Sequence, residues 1–289
     1  MIPSLTTTRY GRRLLWLVAY CVLSFISVTP TYSETAADFF LPSTSQLWSL
    51  STKSCFKLHH HMGRWCQIAL KSDALFGNLS LDVITLPKRK YRAKLAIQPK
   101  GDHQKLSAVV AEAKASVGIN GGYYSPTFKP VGLFKIDHRQ ISRFSSASRL
   151  LKAGIVINHQ GQISLKANPK KSLLEQAPSA MQVGPVLIDR GIIKVSNHSQ
   201  MRRRTLLAQT FQGDMMIIVT KTPASLYTLS YLLVHYPHYF NAKKIMLAVN
   251  LDGGSSTALS LNLKTKIHNI AEQKPVRTMI LFYPTDIST

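Results

Sequence analysis

Short apolar segments separated by turn residues recur along most of this chain, and they restrict its fold. Residues 78–86 alternate between apolar and polar side chains, whereas Ile245–Asn250 is almost entirely apolar. Both patterns are typical of strands with one or two buried faces. Helical periodicity is clearest at residues 106–113 and 226–234. We therefore predict a mixed α/β (α+β) fold, with a mixed, largely antiparallel sheet packed against two or three helices in a single domain.

The first 33 residues resemble a secretory signal peptide. Arginines precede an apolar run at residues 14–28, and Thr31 and Ser33 place small residues before a cleavage point. The run is shorter than the roughly 20 residues that a membrane-spanning helix needs, although an uncleaved anchor remains the alternative. We predict cleavage after Ser33 and export of the protein to a periplasmic or extracellular compartment.

The net charge of the chain restricts the kinds of partner that it is expected to bind. Its 36 Lys and Arg residues outnumber 13 Asp and Glu residues, which gives a formal net charge of +23. Such an excess indicates nucleic acid, an anionic surface or an anionic substrate. Export argues against nucleic acid, so we expect an anionic surface, such as the cell envelope, or an anionic substrate as partner.

The segment before residue 79 contains two cysteines and a short histidine run. Residues 34–78 are predicted to be an irregular lead-in followed by a first strand, and the main domain to span residues 79–289. In an exported protein Cys55 and Cys66 are expected to form a disulfide, with two reduced, buried thiols as the alternative. The three consecutive histidines at 59–61 have no carboxylate nearby, so we predict neither a metal site nor a cofactor.

Three glycine-rich stretches follow or enter apolar strands, at residues 118–124, 182–187 and 249–257. Adjacent glycines allow backbone N–H groups to approach a ligand, and such groups can hold an anion together with serine hydroxyls. Ordinary tight turns would explain any one stretch, but three in one chain favour a shared site. None of them matches a nucleotide-binding loop or a serine-hydrolase elbow.

Five motifs occur in one order that resembles the phosphodiester glycosidase family. They lie at residues 119–124, 130–133, 184–185, 204–205 and 250–254. The resemblance extends roughly from Leu79 to Tyr283 and implies hydrolysis of a sugar that is linked through its anomeric carbon to a phosphodiester.

The resemblance and the chemistry together suggest roles for individual residues. A phosphate is already a good leaving group, so charge stabilisation matters more than protonation, and one carboxylate can suffice. Asp252 would act as base or oxocarbenium stabiliser, Arg204 would hold the phosphate, and Asn120 and Asn250 would bind sugar hydroxyls. The remaining substrate-binding candidates are Gly121, Gly122, Tyr123, Gly184, Gly253, Gly254, Ser255 and Ser256.

The chain also departs from the family pattern. Ser255 replaces a third glycine, Ala208 replaces another glycine, and Thr228-Leu229-Ser230 stands where the family often has Glu-Leu-Ala. The missing glutamate favours a non-catalytic binder of anionic envelope polymer, whereas the intact motif at 250–254 favours a hydrolase. A phosphodiesterase that cuts the P–O bond is a third alternative.

Overall fold

The computed structural model describes residues 48–58, 61–72, 77–99, 101–197, 200–263 and 266–285. The predicted signal peptide lies outside these residues, as do His59 and His60. All described residues belong to one compact unit. Within them, no helix has both the length and the apolar character needed to cross a membrane.

The described residues form eighteen strands and three α-helices. In chain order the strands are β1 (Trp48–Lys57), β2 (Arg64–Ser72), β3 (Leu79–Leu86), β4 (Tyr91–Ile97), β5 (Val117–Asn120), β6 (Phe134–Ile136), β7 (Arg139–Ser142), β8 (Ala153–Ile157), β9 (Ile163–Ala167), β10 (Ser179–Val183), β11 (Val186–Asp189), β12 (Ile192–Ile193), β13 (Thr205–Thr210), β14 (Met215–Thr220), β15 (Ile245–Asn250), β16 (Leu259–Leu263), β17 (Lys266–Ile270) and β18 (Thr278–Pro284). The α-helices are α1 (Leu106–Glu112), α2 (Lys171–Gln176) and α3 (Leu226–His235), and two 3-10 helices cover Pro237–Phe240 and Gly254–Ser256.

The strands form three sheets. The first has eight strands in the order β1-β2-β3-β14-β13-β15-β11-β12. The second has five strands in the order β7-β6-β10-β8-β9, and the third has five in the order β17-β16-β5-β18-β4. Every strand pairing in the described part of the chain is antiparallel.

The fold is mainly β, so it agrees only loosely with the predicted mixed α/β class. Largely antiparallel pairing and a small number of helices are confirmed, but there are three sheets rather than one. The helices are short, at seven residues for α1, six for α2 and ten for α3. Local periodicity reveals strands and helices, but it does not show which strands pair, because pairing depends on contacts between distant segments.

One apolar core holds the three sheets together. It combines Leu207 of the first sheet with Met181 of the second and Ile119 of the third. The helix α3 covers the opposite face of the first sheet, where Leu229 packs in a second cluster. Because both faces of the first sheet are covered at its centre, β14 is buried at all six positions, which explains its continuous apolar sequence.

The lead-in also differs from the expectation, because residues 48–57 form the edge strand β1 rather than an irregular segment. This strand is mostly exposed and rich in Ser, Thr and Lys, so it lacks the apolar alternation that marks a strand in sequence. Cys55 lies directly opposite Cys66 on β2, and a disulfide joins the two residues. The disulfide therefore ties the exposed edge strand to the sheet.

Reduction of this disulfide is expected to destabilise the protein. A bond that closes a loop of this size contributes about 2–4 kcal/mol. A reductant should therefore lower the Tm of the wild-type chain by roughly 5 °C or more in a thermal unfolding experiment. The double variant Cys55→Ser/Cys66→Ser serves as control, because its Tm should start lower and should not respond to the reductant. An unchanged wild-type Tm would contradict the stabilising role.

Candidate active site

The structure brings the three glycine-rich stretches together. The Gly121 carbonyl accepts a hydrogen bond from the Asp252 N–H at 3.1 Å, which joins the first stretch to the third. The Gly184 N–H donates to the Asn250 carbonyl at 3.1 Å, which joins the second stretch to the third. The ends of β5, β10 and β15, from three distant parts of the chain, thus form one local structure.

Asn120 connects these segments from within. Its side chain is 1% exposed, and its Nδ2 donates to the Asp252 carbonyl at 2.7 Å. Its Oδ1 accepts from the Thr205 hydroxyl at 2.6 Å and from the Ala258 N–H at 3.0 Å. Because both ends of the amide are bonded inside the protein, Asn120 holds the backbone of Asp252 in place.

Tyr123 and Asn250 form a second buried group. The Tyr123 hydroxyl donates to the Gly184 carbonyl at 2.6 Å and accepts from Asn250 Nδ2 at 2.8 Å. Burial raises the pKa of Tyr123 to about 12, so the phenol keeps its proton at neutral pH. The Asn250 Oδ1 is buried and has no hydrogen-bond partner among the described residues.

Asp252 is the carboxylate at the centre of this structure. Its Oδ1 accepts the Gly253 N–H at 2.9 Å, and its own N–H and carbonyl are bonded to Gly121 and Asn120. Burial raises the pKa of the Asp252 carboxyl above its ordinary value, while hydrogen bonds from Ser256 and Gly253 oppose the rise. A partly desolvated carboxylate held by fixed donors is suited to proton transfer or to charge stabilisation.

Arg204 lies immediately before β13, close to the backbone of Gly253. Its Nε donates to the Ala224 carbonyl at 3.2 Å, and its Nη2 donates to the Gln200 carbonyl. Its Nη1 lies 3.9 Å from the position that a Cβ on Gly253 would occupy. Burial lowers the pKa of Arg204, but a guanidinium keeps its charge near neutral pH. Hydrogen bonds within the described residues use two of the five N–H donors of the Arg204 side chain.

The N–H groups of the glycines expected to hold an anion have acceptors within the protein. Two donate to neighbouring backbone carbonyls, with Gly121 bonded to Thr278 at 2.6 Å and Gly254 bonded to Arg203 at 2.8 Å. The Gly122 N–H points to the Met181 sulfur at 3.2 Å. The N–H groups of Gly184 and Gly253 are bonded as described above.

Residues 271–277 hold the third glycine-rich stretch in place. The Ser255 carbonyl accepts the Gln273 N–H at 2.7 Å, and the Arg203 guanidinium donates to the Ala271 carbonyl at 3.2 Å. The Tyr124 hydroxyl donates to the Pro275 carbonyl at 2.9 Å. These contacts hold the 3-10 helix that carries Ser255 and Ser256 and that follows Asp252 in the chain.

Sequence reasoning missed two positioning residues. Thr205 follows Arg204 in its motif, and its hydroxyl holds Asn120 as described above. The Thr278 hydroxyl donates to the Gly122 carbonyl at 3.1 Å, and its backbone carbonyl accepts the Gly121 N–H. Only the motif neighbour Arg204 could have pointed to Thr205, and no local pattern marks Thr278, because its role arises from the pairing of β18 with β5.

A family model described as phosphodiester glycosidase matches residues 113–283, which include all of these site residues. The chain belongs to the phosphodiester glycosidase family.

Solved structures agree with this family at the level of the fold. The catalytic domain of zebrafish N-acetylglucosamine-1-phosphodiester alpha-N-acetylglucosaminidase, auto-inhibited by its pro-peptide, has a TM-score of 0.58 and 16% identity over 83% of this chain and 85% of that chain. A hypothetical protein from Synechocystis has a TM-score of 0.52 and 14% identity over 78% of this chain and 62% of that chain. No curated protein sequence gives a significant match.

The departure from the phosphodiester glycosidase pattern at 228–230 lies on α3. The Ser225 hydroxyl caps this helix by accepting the Thr228 N–H at 2.9 Å, and it donates to the Thr228 hydroxyl at 2.8 Å. The Ser230 hydroxyl donates to the Leu226 carbonyl at 2.7 Å. Both hydroxyls at the departing positions are buried and bonded within the helix, so in this chain they stabilise α3.

Removal of the Asn120 side chain should destabilise the whole protein. The variant Asn120→Ala leaves the Thr205 hydroxyl, the Ala258 N–H and the Asp252 carbonyl without a partner, and each such loss costs about 1–3 kcal/mol. We expect the free energy of unfolding in urea to fall by about 3 kcal/mol or more. Asn269→Ala, on the exposed side of β17, is the control and should change it by less than about 0.5 kcal/mol. Equal effects of the two variants would contradict the positioning role.

Proposed function

We propose that this protein is an exported hydrolase that cleaves the glycosidic bond of a sugar-1-phosphodiester or a related anionic glycan. Family membership supports the reaction class. The single observation on which the proposal depends is the placement of Asp252, whose backbone is bonded to two other segments and whose carboxylate is partly desolvated. The Arg204 guanidinium lies close to the next residue, Gly253. A chain that only needed tight turns would not require a desolvated carboxylate at this position.

In the proposed reaction, the bond between the anomeric carbon and the phosphate oxygen breaks, and its electron pair leaves with the phosphate. Arg204 would neutralise the charge on the phosphate through its remaining N–H groups. The Asp252 carboxylate would stabilise the positive charge that develops on the sugar ring, or accept a proton from the attacking water. The products are the free sugar, which gains the water oxygen, and a phosphomonoester.

The structure changes which residues we propose for substrate binding. Asn120, Gly121 and Gly122 become positioning residues, because their polar groups are bonded inside the protein. Asn250 keeps a proposed substrate role, because its Oδ1 is a buried acceptor without a partner and such an atom costs free energy until it is satisfied. A sugar hydroxyl, directly or through a bridging water, would satisfy it.

Export is proposed from three observations. The segment at 1–33 has the signal-peptide pattern, the described part contains a disulfide, which is typical of oxidising compartments, and the cationic chain suits an anionic cell envelope. The domain boundaries at residues 34, 79 and 289 remain proposals of the same kind, although the family match from 113 to 283 falls inside the last segment.

A non-catalytic binder with the same fold is the second candidate function. The side chains at 228–230 favour it, because two buried hydroxyls and a leucine replace the segment in which the family often has a glutamate. Such a protein would use Arg204 and the neighbouring arginines to hold an anionic polymer without cleaving it.

Hydrolysis of a panel of sugar-1-phosphodiesters in oxygen-18 water tests the proposal. We expect the label to appear in the released sugar, because water attacks the anomeric carbon. Label in the phosphate would instead identify a phosphodiesterase that cuts the P–O bond. Binding without turnover across the panel would identify the non-catalytic binder.

The variant Asp252→Asn keeps the shape of the side chain but removes its negative charge. With a substrate that the wild type turns over, kcat should fall by roughly 100-fold or more, because catalysis by a positioned carboxylate is worth about that much. Asp189→Asn is the matched control. Asp189 is the last residue of β11, and its carboxylate pairs with Arg190 outside the site. The kcat of this variant should be unchanged. Full turnover by Asp252→Asn would contradict the assignment.

The pH dependence of kcat/KM tests how Asp252 is tuned. Both proposed roles need the ionised carboxylate, and burial raises the pKa of Asp252, so the acidic limb should lie above the ordinary aspartate value of about 3.9. Ser256→Ala removes a hydrogen bond that lowers this pKa, and the limb should therefore move to higher pH. Ser255→Ala, in the same 3-10 helix, should leave the limb in place, and a shift to lower pH in Ser256→Ala would contradict the assigned hydrogen bond.

A further inference from the structure

A cavity lies where the second and third sheets meet. It is formed by β4 and β18 of the third sheet and by two turns of the second sheet, the one between β6 and β7 and the one between β8 and β9. Its volume is about 370 Å³, which falls within the range of small-molecule sites. None of its lining residues belongs to the candidate active site.

The lining of this cavity is cationic. Arg92 and Lys94 enter it from alternate positions of β4, and His138 and His159 face each other across the two turns with their ring centroids 5.2 Å apart. Asp137 contributes one carboxylate. The guanidinium and ammonium groups supply N–H donors that suit an anion, and the carboxylate and imidazoles are able to hydrogen-bond hydroxyl groups.

An aromatic ring completes the lining. Tyr283 of β18 is half-buried, and the Lys94 Nζ lies 5.8 Å from its ring centroid. A half-buried tyrosine combines an apolar surface with a polar tip. The cavity therefore offers both an apolar surface for the carbon atoms of a sugar ring and cations for a negative group.

The cavity is held by hydrogen bonds between its walls. The Ala93 N–H donates to the Gly161 carbonyl at 2.8 Å, which joins β4 to the turn between β8 and β9. The His138 N–H donates to the Pro178 carbonyl at 2.8 Å, and the Ser179 hydroxyl accepts the Asp137 N–H at 2.9 Å. A site built on such fixed segments loses little conformational entropy when a ligand binds.

We propose that this cavity is a second binding site, specific for an anionic saccharide, that is, a sugar unit that carries a phosphate or carboxylate group. Arg92 and Lys94 bind the negative group, Tyr283 stacks against the ring, and the histidines and Asp137 contact hydroxyl groups. The site is separate from Asp252 and does not require the proposed hydrolysis. In a polymeric glycan it would hold a unit other than the one being cleaved.

An NMR titration of the full chain without its signal peptide tests this site. The probes are glucose 1-phosphate and glucuronate, with glucose and inorganic phosphate as controls, and the backbone amides of Ala93, His159 and Gly161 report binding in the cavity. Both acidic sugars should shift these amides, and each control should bind at least several-fold more weakly. Absence of a shift with both acidic sugars, or equal binding of glucose or phosphate, would overturn the proposal.

Site-directed variants test whether the acidic sugars bind in this cavity. Arg92→Gln/Lys94→Gln changes two exposed side chains, and we expect the Kd of both acidic sugars to rise at least tenfold at the reporter amides. Lys171→Gln/Arg190→Gln removes the same charge from the exposed residues of two surface ion pairs and should change the Kd less than twofold. If both double variants weakened sugar binding equally, the effect would come from net charge alone, and the proposed site would be overturned.

Two further variants complete the test. Tyr283→Leu should weaken both acidic sugars but not inorganic phosphate, because only the sugars contact the ring. Arg204→Gln should leave the shifts of the cavity amides unchanged, whatever it does to hydrolysis. Loss of those shifts in Arg204→Gln would assign the binding to the active site and overturn the proposal.

Discussion

The buried amide of Asn120 is the interaction on which the candidate site depends. It joins the end of β5 to Thr205 at the start of β13 and to the segment that follows β15, and these strands belong to two different sheets. Asp252 owes its position to this connection, because its carbonyl is bonded to Asn120 and its N–H to Gly121. A polar group buried this deeply is costly unless all its bonds are made, so the site and the packing of the two sheets stabilise each other.

The sequence was sufficient to identify the motifs that meet at the candidate site but not to give every residue its role. The motif at 250–254 and the pair at 204–205 could be recognised because each is contiguous. The role of Asn120 could not, because a strand-end asparagine that contacts substrate and one that contacts backbone look the same in sequence. The roles of the glycines are not evident from the sequence for the same reason. A Cβ on Gly121 would lie 2.6 Å from the Thr278 hydroxyl, so this glycine is required by the approach of β18, which no local pattern reveals.

The fold was predictable only in part for the same physical reason. Strands with a clear apolar face, such as β3 and β15, are evident from their sequence because their burial imposes the pattern. The edge strand β1 has no buried face to impose it, and its pairing depends on β2 and on the disulfide between Cys55 and Cys66. The division into three sheets depends on long-range pairing, for instance of β5 with both β16 and β18, which periodicity does not encode.

The hydrogen bonds of the glycine N–H groups indicate which of the many cationic residues matter at the candidate site. If the glycine N–H groups had been open, they could have held a phosphate without any charged side chain. They are bonded within the protein, so the arginines near Gly253 are the candidates for holding an anion there. Arg203 and Arg204 approach Gly253 and Gly254 closely, and Arg204 is partly desolvated, where a charge interacts more strongly than at the surface. The net charge of the chain alone would not have distinguished these residues from the many exposed lysines.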